Sequence, residues 1–181
     1  GIPLASVIKM KPWMLAAMVA LPACEMARQA SGAPVLDVKL AEEAKADGKA
    51  LKGLESVTDQ LGAMASLPME FHIRGLVDSL TLGDRMDDIM ETMIELYERE
   101  QIAMIVPLIN AVTQEAGADN SGYADFEQTM ITARNATMAS HAAPIIDQGG
   151  AFIAVGALHL PGPDGVVERL RKAGYTLTPE S

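Results

Sequence analysis

The stretch that most constrains this chain is its C-terminal run Gly149–Ser181, GGAFIAVGALHLPGPDGVVERLRKAGYTLTPES. Phe152–Val155 is a short apolar run of strand formers, and Gly156 ends it sharply. His159 and a Pro161-Gly162-Pro163 turn come next, and Asp164 is placed as an N-cap. In the helix that follows, Val166, Val167, Leu170 and Ala173 share a face, while Glu168, Arg169, Arg171 and Lys172 face water. Its basic last turn suits the helix dipole, Gly174 closes it, and Tyr175–Thr178 alternates as a second strand. The unit reads strand, loop, helix, strand. It places His159 just past the carboxyl end of a buried strand, where open α/β sheets bind ligands.

A second unit of the same kind lies upstream. Leu36–Ala46 is a helix stopped by Gly48, and Ala50–Leu54 reads as a strand that delivers Glu55 at its carboxyl end. Helices fill most of the rest. Pro12 opens one through Leu21, which Pro22 ends or kinks. Further helical patterns cover Thr58–Ala65, the segment opened by Pro68, Asp84–Arg99, Ile102–Val112 with Pro107 as kink or start, and Tyr123–Ala142; Ala116–Gly122 reads as a polar loop. The expected fold is a single α/β to α+β domain, a small central sheet surrounded by about seven helices. At 181 residues the chain is long enough to bury a core.

Composition removes several classes of function. A net charge of −10 argues against nucleic acid and anionic membranes as partners, and 4% aromatic residues leave few platforms for bases. The single cysteine, Cys24, excludes an internal disulfide framework. The 12 methionines fall mostly at helical spacing beside Leu and Ile and read as core filler. The apolar run Trp13–Leu21, flanked by Lys9, Lys11 and Cys24, imitates a lipoprotein signal, but it is too short to span a bilayer and reads as a buried helix. No Ser-centred elbow, P-loop, CxxC or HExxH is present.

Three residues could carry chemistry. His159, in a glycine- and proline-rich loop, can ligate a metal or shuttle protons, or it can simply bond loop carbonyls. Glu55 can serve as a metal ligand or general base, or it can cap the helix that starts near Val57. Arg134 shares a helical face with Met130, Met138 and His141, so it needs a partner, and Glu55 is the one expected. That pair either fastens helix to sheet or leaves Arg134 to stabilise developing negative charge. His72 and His141, single histidines on helices, read as surface or structural residues, and the acids Asp87, Asp88 and Glu98–Glu100 as solvated or capping charges.

The segment VGALHLPGPDGVVERLRKAGYTL resembles the C-terminal signature of the TraB/GumN family, relatives of the Tiki metalloproteases, through Gly156-Ala157-Leu158-His159 as Gly-x-x-His. Lys11-Pro12-Trp13, then Gly53-Leu54-Glu55 with Gln60, then Arg134-Asn135 fit the same family in order. The family's earlier Gly-x-x-His has no counterpart here. A start at Gly1 instead of Met reads as a trimmed or processed terminus, so the chain is expected to be the C-terminal part of such a protein. The resemblance implies a metal-dependent, peptidase-like hydrolase of the bacterial envelope or periplasm. His159 and Glu55 would be metal ligands for Mn, Co or Zn, Glu55 alternatively a base, with Arg134 assisting and Asn135 orienting a side chain. One histidine and one carboxylate do not complete a catalytic metal set, so the chain alone is expected to be inactive. Two other readings stand beside it: a non-catalytic module that binds a peptide or haem, and a self-associating homodimeric scaffold.

Overall fold

A computed structural model describes residues 4–83, 85–115 and 122–180. Eleven α-helices follow one another among the described residues: α1 Leu4–Val7, α2 Pro12–Val19, α3 Ala23–Ala30, α4 Leu36–Ala46, α5 Val57–Ser66, α6 Met69–Leu82, α7 Arg85–Glu98, α8 Ile105–Glu115, α9 Tyr123–Glu127, α10 Ala133–Ile146 and α11 Val166–Lys172. Proline sets several boundaries as its missing N–H requires. Pro12 occupies the first turn of α2, Pro22 and Pro68 precede α3 and α6, and Pro107 lies in the first turn of α8, a start and not a kink. A π-helical turn, Gln128–Thr132, joins α9 to α10. The expected Ala116–Gly122 loop lies almost entirely outside the described residues.

The expected central sheet is absent: the described residues contain no strand, and the fold is all-α. The segments around Ala50–Leu54, Phe152–Val155 and Tyr175–Thr178 are non-helical, and no backbone hydrogen bond joins any two of them. The physical reason is that alternation fixes which side chains face a core, whereas a sheet also needs a neighbouring backbone in register. The alternation itself is respected. Leu54, Val155, Tyr175 and Leu177 all pack on one cluster made by Met138 and Ala139 of α10 with Val166 and Leu170 of α11. Phe152, which a buried strand would cover, is 80% exposed.

That cluster and its surroundings hold most of the buried residues. Helices α2, α3, α4, α5 and α7 bury none of theirs, and the apolar row Ile73, Val77 and Leu80 of α6 stays exposed although α2 lies along that helix. Aromatic stacking ties α6 to α9, with Phe71 on Phe126 at a 5.5 Å centroid separation and Tyr123 on Phe126 at 6.0 Å.

Candidate functional site

Glu55 ends the non-helical stretch before α5. The helix is capped by the next residue: Ser56 Oγ accepts from the Asp59 amide, and the Asp59 carboxylate accepts from the Ser56 amide, each at 3.1 Å. This capping box frees Glu55 from the capping role open to it in the sequence. The backbone at this point is tightly folded, since a Cβ on Gly53 would lie 2.9 Å from the Glu55 carbonyl oxygen. His141 Nδ1 donates to the Leu54 carbonyl at 2.6 Å, which straps the segment to α10.

Seven residues before His141, on the same helical face, Arg134 meets Glu55. Its Nε lies 3.1 Å from both carboxylate oxygens, its Nη2 is 2.8 Å from Oε2, and its Nη1 donates to the Met130 carbonyl at 3.2 Å. The two side chains are only 13% and 11% exposed, so this is a nearly buried fork of charge-assisted bonds. The pair expected from the sequence is present, and it fastens α10 to an irregular segment instead of to a sheet.

Asn135, the next residue on α10, is the most deeply buried polar side chain among the described residues, at 2% exposure. Its Nδ2 donates to the Asp164 carbonyl at 2.9 Å, and its Oδ1 is 2.7 Å from His159 Nδ1. His159 closes a 3-10 turn, Ala157–His159, with its amide on the Gly156 carbonyl at 2.9 Å. The loop then folds onto itself. A Cβ on Gly165 would fall 2.3 Å from the carbonyl oxygens of both Leu160 and Pro161, so only glycine fits before α11. Gly156, the glycine of Gly-x-x-His, faces no such demand, because a Cβ there would make an ordinary 3.4 Å contact with the His159 ring. Asp164 is not the N-cap of α11, a position held by Gly165. Its carbonyl receives Asn135 Nδ2 and also Arg169 Nε at 3.0 Å, while its carboxylate pairs with Arg169 Nη2 at 3.1 Å.

Adjacent residues on one helix thus hold the two halves together, Glu55 through Arg134 and His159 through Asn135. Burial pushes the His159 pKa below 6.5, the Arg134 charge lowers it further, and the Glu55 charge opposes both. Nδ1 is engaged by Asn135, and no hydrogen bond reaches Nε2 among the described residues. The arrangement can therefore hold a neutral imidazole with one nitrogen open, beside a compensated ion pair. His141, the Asp164 carbonyl and Gly165 were not legible as site components. Only the position of His141 on the Arg134 face signalled any of them.

As a metal centre the donor set is incomplete. His159 Nε2 fits as one ligand, whereas both Glu55 oxygens accept from the Arg134 fork, and among the described residues no three His, Cys, Asp or Glu side chains gather. A catalytic transition metal uses about three protein ligands.

Fold and site together define a helical protein in which the buried His159 is ordered by an asparagine and flanked by an Arg–Glu fork. The chain belongs to the TraB/PrgY/gumN family, whose model matches residues 1–179. No curated protein and no solved structure matches it. No helix among the described residues is long and apolar enough to cross a membrane.

Proposed function

We propose that this chain supplies the histidine half of a hydrolytic site with peptidase-like chemistry. The observation that supports it is the buried His159 ring, bonded through Nδ1 to Asn135 and open at Nε2. An imidazole kept neutral at physiological pH can take a proton from a water at Nε2 and return it to a leaving group. Arg134, held by Glu55, adds a fixed positive end near that ring, suited to a carbonyl oxygen that gathers negative charge. Glu55 acts here as the anchor of Arg134, because both of its oxygens already accept from the guanidinium. Metal assistance, in this reading, draws its further ligands from outside the described residues, and the chain alone is inactive.

The test is a calorimetric titration with Mn²⁺, Co²⁺ and Zn²⁺ of the chain and of His159→Ala. The expected result is weak binding of at least one ion that disappears in the variant. Identical isotherms would remove His159 from any metal chemistry and favour a non-catalytic binding module.

A further inference from the structure

Asn135 has two chemically different ends, and its surroundings leave it one orientation. The Asp164 main-chain oxygen, 2.9 Å away, can only accept, so it must face the amide nitrogen. That oxygen is further fixed by Arg169 Nε at 3.0 Å, and the loop carrying it is closed by the steric requirement at Gly165. The Asn135 carbonyl oxygen is thereby turned toward His159 Nδ1 at 2.7 Å. A carbonyl oxygen accepts and never donates, so the nitrogen opposite it must carry the proton. At 2% exposure for Asn135 and 8% for His159, water cannot substitute for either group without an unsatisfied buried partner.

We infer that Asn135 is a positioning residue that locks His159 in its Nδ1–H tautomer, with Asp164 and Arg169 fixing the amide that does so. Neutral histidine in water prefers the opposite tautomer, so the chain works against the intrinsic preference to present Nε2 as a lone pair. The consequence for hydrolysis rests on the reading of His159 given above, but the tautomer itself does not. The Nε2 lone pair is what a ligand or a proton acceptor at this position requires, and the Nε2–H form would offer neither.

The experiment is a long-range ¹H–¹⁵N correlation spectrum of the histidine-labelled chain, free of metal, at a pH where the ring is neutral. In the native chain His159 should show a protonated Nδ1 and an unprotonated Nε2; the Nε2–H pattern overturns the inference with no variant needed. Asn135→Leu should revert the ring to Nε2–H. A leucine variant that keeps Nδ1–H also overturns it. Because the spectrum involves neither metal nor substrate, its outcome is independent of whether the titration supports hydrolysis.

Discussion

Glu55 and Arg134 show why a charge near an apolar helix face must be read together with its partner. Each is almost fully withdrawn from water, and each satisfies the other through the fork. Removing one leaves the other buried and unpaired, so Glu55→Leu or Arg134→Met should each destabilise the chain by about 3 kcal/mol in denaturant unfolding. The double variant should lose less than the sum of the two, because no orphaned charge remains. His159 sets a pH dependence of its own. Its folded pKa is depressed below 6.5, so the unfolded chain binds the proton more readily. The stability it contributes is complete above about pH 6.5 and is lost as pH falls through the lower folded value. Urea midpoints measured across that window should fall with acidification in the native chain and flatten in His159→Phe.

The helices show what periodicity settles and what it leaves open. Leu36–Ala46 forms over the span its pattern indicates, and the patterns opening at Thr58 and Pro68 and the one running to Arg99 each yield a helix among the described residues, because a helix closes its hydrogen bonds within itself. A strand cannot do so. Tyr175–Thr178 and Val155 carry the correct inward side chains yet form no ladder, since nothing in their own residues supplies the neighbouring backbone. Helix α3 was not legible because Pro22, which stops the preceding helical pattern, also stands directly before a new helix. In the site, the Glu55–Arg134 pair was legible because burial of charge demands it. The Asn135–His159 bond was not, since it depends on where a loop carries residue 159. Two element-level substitutions test these local devices. Ser56→Ala breaks the capping box and should cost about 1 kcal/mol. Gly165→Ala forces two carbonyls apart and should cost about 1–3 kcal/mol while lowering the melting temperature more than Gly156→Ala.

Across the whole molecule, burial is unevenly spread. The chain exposes 12297 Å², whereas a compact monomer of its 19.2 kDa mass would expose about 8,400 Å². Order should be graded accordingly, with amide exchange slowest in α10 and α11 around Met138 and Leu170 and fast throughout α2 to α5. Uniform protection along the chain would show that the helices fold as one cooperative unit instead. Beside that cluster, Arg134 and Asn135 of α10 bring Glu55 and His159 together. The most direct measurement is an NMR pH titration of the His159 ring in the native chain, in Arg134→Met and in Glu55→Gln. The midpoint should lie below 6.5 in the native chain, higher without the Arg134 charge and lower still without the Glu55 charge. A midpoint at or above 6.5 that neither substitution moves would place the ring outside the field of the Arg134–Glu55 pair and remove the site.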